Sequence, residues 1–321
     1  MVSGMHSCPV ELASYIFSLA CTDDGATVHS LSLVSRSFND ICAFLRYDSV
    51  SIHNREQIAR VSASLSKLPP HLRRIHHLYI FLAPPQARVD VNDDIELVFR
   101  ILQFASPTLE SLAFVYPNTV MSSTAISRLF RTPFPNLHEL TVHGFYPFPN
   151  SSTMHMPRLE RLHLSGNRNP YGLFHMNCLN DSLPYLTHLR VSGLLMASSF
   201  AIELECVVNV SRGVDSEQIS PVPGRLPLPS KLEHIVIQPG YNPATRTSMG
   251  NMKKDEAMMK TLQDVVRCQD TGISDGVKGN LRVVLENRGE VPDMMMKEVL
   301  YRDWMSRLDG KAGCWPLECR V

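Results

Sequence analysis

No stretch of this 321-residue chain runs apolar for the roughly 20 residues that a membrane helix needs. The first residues, MVSGMHSCPVEL, hold neither a charged leading region nor a long apolar run, so no secretory signal is expected. Eight cysteines are scattered at positions 8, 21, 42, 178, 206, 268, 314 and 319 without a CxxC pair, which argues against a zinc framework. Scattered thiols without a signal suit a reducing compartment, so a cytoplasmic or nuclear protein is expected. Neither sign of charge is in excess: 31 basic residues balance 31 acidic ones. A protein that grips nucleic-acid phosphates shows a basic surplus, so neither nucleic acid nor membrane is an expected partner. Low-complexity composition is absent too, with 44% hydrophobic and 19% charged residues, so packed structure is the default.

Catalytic signatures are equally scarce. No GxSxG occurs, and no GxGxxG follows a strand. His138-Glu139 opens like a zinc-protease HExxH, but Val142 stands at the fifth position in a strand-like run. Gly310-Lys311 has the end of a phosphate loop, but Met305 replaces its first glycine and Ala312 follows the lysine. No catalytic residue, cofactor or metal is therefore expected, and the chain is read as a non-enzyme.

What is present begins at Pro9 to Tyr47. Leu12, Ile16 and Leu19 recur at spacings of four and three, with Tyr15 alongside, which predicts an amphipathic helix. Pro9 suits its start and Glu11 suits the positive end of the helix dipole. A polar turn at Thr22 to Gly25 separates this block from a second. That one carries Leu31, Val34, Phe38, Ile41, Cys42 and Leu45, with Leu33 off the shared face. About 40 residues can form three short helices but only a small core, so the unit is expected to lean on a neighbour or a partner.

Leu31-Ser32-Leu33-Val34-Ser35-Arg36-Ser37-Phe38, preceded by a proline-led apolar helix, resembles the F-box family. In that family a Leu-Pro leads into the first helix and a Leu-x-Leu-Val-x-(Ser/Cys)-(Arg/Lys)-x-Phe-like stretch follows. Here Cys8 stands in place of the leucine, and the segment from Cys21 to His29 is longer and more polar. The resemblance implies a three-helix domain over residues 1–50. It also implies a Skp-type adaptor as partner and, through it, a cullin. Pro9, Leu12, Ile16, Leu31, Leu33, Val34 and Phe38 are the set expected to be shared between the segment's own core and that partner.

Further along, a pattern Φ-x-x-Φ-x-Φ, with Φ apolar, starts at Ile75, Leu109, Leu137, Leu159, Leu186 and Leu232, at intervals of 34, 28, 22, 27 and 46 residues. The last three positions alternate, so two apolar side chains share one face of a short strand. Strands are also predicted at Ser49 to His53 and Leu281 to Leu285. Helical spacing falls between strands: after Asn54, at Asp93 to Phe104, Ser122 to Phe130, Ser199 to Val208 and Lys253 to Cys268. Pro107, Pro135, Pro157, Pro184 and Pro229, just before strands, each stop a helix.

The whole is predicted to be α/β. The intervals bracket those of a leucine-rich repeat, and residues 51–321 resemble an irregular solenoid of that kind, parallel strands backed by helices, in its strand halves only. Asn167 alone sits near the repeat's asparagine position. A proline-rich loop is expected at 211–230, and a helix at 292–308 is expected to cap the open end. His76, His138, His163, His188 and His234 fall within the repeated units and are read as polar positions at or beside exposed strand faces.

By resemblance, the chain reads as a substrate receptor of an SCF-type (cullin–RING) ubiquitin ligase, holding an unidentified protein substrate on its repeats. An F-box-containing scaffold that never joins a ligase is the alternative.

Overall fold

The computed structural model describes residues 8–83, 91–147, 154–174, 178–211, 228–242, 248–270, 281–292 and 295–315. The expected proline-rich loop lies almost wholly outside them. Among the described residues the protein is α/β, with eight strands and ten α-helices. The strands neighbour one another in chain order. Two compact units form: Met1–Ala113 with Glu298–Val321, and Phe114–Lys297. Residues 1–50 thus belong to a larger unit that takes in both ends of the chain.

In the first unit, three short helices lead: α1 (Val10–Ala20), α2 (Ala26–Ser32) and α3 (Arg36–Ile41). Pro9 takes the position before α1, and its carbonyl accepts the Ala13 N–H. Ser35 separates α2 from α3 by capping Phe38 N–H at 3.2 Å, so the second apolar block is two helices rather than one. Strand β1 (Ser49–Ile52) follows, then α4 (Arg55–Lys67), whose expected cap Asn54 accepts from Gln57 N–H at 2.9 Å. Strand β2 (His77–Phe81) pairs parallel with β1, Val50 opposite Leu78. Helix α5 (Val91–Ala105) and strand β3 (Ser111–Val115) come next.

The last helix, α10 (Met296–Leu308), also packs in this unit. Its Tyr301 ring meets His53 edge-on at 4.7 Å and Tyr79 of β2 at 5.1 Å, with Trp304 5.8 Å from Tyr79. The helix expected to close the far end of the repeats returns instead to the first two strands. The cause lies in its aromatic side chains, which gain a buried site over Tyr79.

The second unit holds α6 (Ser122–Phe130), β4 (Glu139–His143), β5 (Arg161–Ser165), α7 (Cys178–Ser182), β6 (His188–Leu194), α8 (Ser198–Ser211), β7 (His234–Pro239), α9 (Met249–Asp270) and β8 (Arg282–Leu285). Strands β4 to β8 are paired parallel, each to the next. Leu140, Leu162, Leu189, Ile235 and Val283 align across them, as do Val142, Leu164, Val191, Ile237 and Leu285.

The Φ-x-x-Φ-x-Φ units act as read. Each strand starts two residues past the leading apolar residue. That residue is buried: Leu137, Leu159 and Leu186 expose nothing. Two successive amides then donate to one carbonyl in the preceding repeat, Glu160 and Arg161 to His138, then Thr187 and His188 to Glu160. This fork fixes the register as each strand begins. At the other end of the strands, Gly144, Gly166, Gly193 and Gly240 sit in line, backbone against backbone. A Cβ on Gly240 would lie 3.0 Å from the Gly193 carbonyl oxygen.

Candidate functional site

The N-terminal helices build a core of Phe17, Cys21, Val28, Cys42 and Leu45, with Leu31, Phe38 and Ile41 packed against it. Phe17 and Phe38 meet edge to face at 5.0 Å. Five buried side chains make a thin core for three helices. Burial pushes the Cys21 thiol up to about 11, and Cys42 is raised in the same way, so both stay protonated and unreactive.

The remaining apolar residues point outward. Of the seven expected residues, Leu31 and Phe38 face this core, while Pro9, Leu12, Ile16, Leu33 and Val34 are exposed. Leu33 is 73% and Val34 65% exposed, because both lie at the turn that Ser35 cuts between α2 and α3. Helix α1 turns its 12/16/19 stripe to solvent and buries Phe17, which lies off that stripe. Val10, Tyr15, Leu19 and Phe44 extend the exposed apolar set. Tyr15 and Leu19 were visible in the spacing of α1, whereas Val10 and Phe44 carry no periodic signal.

The segment is tied to its surroundings by carboxylates in the turn before α2. Asp23 accepts from Gly25 N–H at 3.0 Å, and from Thr27 N–H at 2.9 Å and its hydroxyl at 2.6 Å. Asp24 accepts from Ser51 Oγ of β1 at 3.0 Å. At the segment's end, Asp48 Oδ1 lies 2.6 Å from His76 Nδ1, a bond that raises the imidazole above its ordinary value of 6.5.

The strand face opposite the leucine rows is polar but closed. In the second unit His163 Nε2 meets Ser192 Oγ at 2.8 Å and His143 Nδ1 meets Ser165 Oγ at 3.1 Å. Arg190 spans to both carboxylate oxygens of Glu286, at 2.8 and 2.7 Å, and donates to Gln238 at 3.0 Å. His163, His188 and Arg190 are all buried. The expectation of exposed strand positions therefore fails for His163 and His188; His76, His138 and His234 are half-buried. Burial, with Arg190 and His143 nearby, holds His163 well below the usual imidazole value and keeps it neutral.

Among the described residues no cluster of three or more His, Cys, Asp or Glu is arranged to hold a metal. None of their helices is long and apolar enough to cross a membrane. Compared with known proteins, the chain matches no family model and no curated relative.

Proposed function

We propose that this protein is a non-catalytic substrate receptor. Its N-terminal helices are an F-box that docks on a Skp-type adaptor and, through it, on a cullin. Its repeats form an irregular leucine-rich-repeat-like solenoid that holds a protein substrate.

One observation carries the reading: a three-helix segment with a thin core leaves Leu12, Tyr15, Ile16, Leu19, Leu33 and Val34 between 43% and 73% exposed. A segment that served only as a cap would gain by turning its widest apolar stripe inward. Fully covering such a side chain stabilises by roughly 1.5–3 kcal/mol, so a partner that covers half a dozen gains substantially. Helix faces of this kind fit an apolar groove on another protein. The strand face opposite the leucine rows is largely closed and offers little to a substrate. The surface on offer is the set of loops after β3, β4, β5 and β7, where Val120, Phe145, Tyr171 and Tyr241 are exposed.

The test is co-purification of the full chain with the adaptor and a cullin. Leu33→Asp and Val34→Asp place a charge on the covered face without touching the segment's own core. Each is expected to abolish adaptor recovery while the melting temperature stays within a degree or two. Undiminished recovery would refute the reading. Adaptor without cullin would favour the scaffold alternative.

A further inference from the structure

Helix α10 reaches the turn between α1 and α2 from the opposite end of the chain. Tyr301 Oη donates to Asp24 Oδ2 at 2.7 Å, and Thr22 Oγ1 donates to Asp309 Oδ1 at 3.2 Å. These bonds join residues 277 and 287 positions apart. Asp24 Oδ2 is shared between Tyr301 of α10 and Ser51 of β1, so one carboxylate oxygen pins the turn to two elements. The neighbouring Asp23 is occupied in capping α2. Cys21 and Val28, on either side of the turn, belong to the small core. The turn therefore joins α1 to α2 at the edge of the core that both helices share.

We propose that α10 is a strap that holds the α1–α2 turn, so that the shape of the exposed apolar surface of α1 and α2 depends on the seating of the C-terminal helix. The strap is reversible in kind. Two hydrogen bonds between exposed or half-buried groups can be released without opening a core. The aromatic contacts of Tyr301 with His53 and Tyr79 keep α10 near its place when they break. A ligand or modification that lifts α10 would loosen the turn first. For its effect on adaptor binding, though not for the strap itself, this rests on the F-box reading.

The test uses the full chain carrying Tyr301→Phe and Asp309→Ala together. This pair removes both hydrogen bonds and keeps the ring of residue 301. Hydrogen exchange at the amides of Gly25, Thr27 and His29 is expected to quicken about tenfold, the equivalent of two weak bonds lost, while β5 to β7 exchange as before. Adaptor affinity is expected to fall several-fold. Unchanged exchange at those amides would overturn the strap. Faster exchange in a protein whose wild type never binds the adaptor would keep the strap and sink the F-box reading.

Discussion

Gly166 shows how tightly neighbouring repeats approach. It has φ +93, and a Cβ there would lie 2.7 Å from the Gly144 nitrogen and 2.8 Å from its oxygen. Both obstacles are backbone, so nothing flexible can yield. Gly166→Ala is expected to cost about 2–4 kcal/mol in denaturant unfolding of the purified protein. The sequence carries a signal for this position. A glycine stands two residues past the last apolar residue in Leu137 to Gly144, Leu159 to Gly166 and Leu186 to Gly193. The seven-residue spacing was there to be read, but its meaning depends on one strand end touching the next. Val34 teaches the converse. Its type and spacing are those of a core residue, and only the cap at Ser35 turns it outward. Which members of an apolar set face in is decided by such breaks.

At the scale of elements, strands were the most legible part. A leading leucine sunk in the core and two alternating apolar positions dictate where each strand starts. Helix α7, five residues long, has too few turns to show a period. The closed polar face was also hidden, because alternation tells two faces apart without saying whether the second meets water.

Two histidines give this architecture opposite responses to pH. The folded value of His76 is raised by its hydrogen bond to Asp48, so its contribution is full below 6.5 and is lost as pH rises through the folded value. The folded value of His163 is depressed, chiefly by burial. Its contribution is present above 6.5 and is lost as pH falls from there toward the folded value. His76→Gln is expected to flatten the decline of thermal stability as pH rises above 6.5. His163→Gln is expected to flatten the acid side. Melting curves between pH 4 and 9 check both, and unchanged slopes would contradict the assignments.

On the scale of the whole molecule, the first unit is made from the two ends of the chain. Leu300 and Trp304 of α10 are buried, each worth roughly 1.5–3 kcal/mol. A chain ending at residue 295 is expected to lose about 3–6 kcal/mol of stability in that unit. Amide protection should fall in β1 and β2, read by hydrogen exchange. Both tryptophans, Trp304 and Trp315, are buried in this C-terminal segment, so their emission reports the first unit. A return of this kind was illegible in the sequence, since an amphipathic helix shows which face it buries and not where.

The return of α10 also sets an order of events on the ribosome. Helices α1 to α3 leave the exit tunnel well before α10 and lack its packing layer until α10 has been made. Their greasy side chains must wait through translation with an unfinished foundation. These helices therefore mature only after α10 is made, and a product terminated before α10 would carry the same apolar face without its full support.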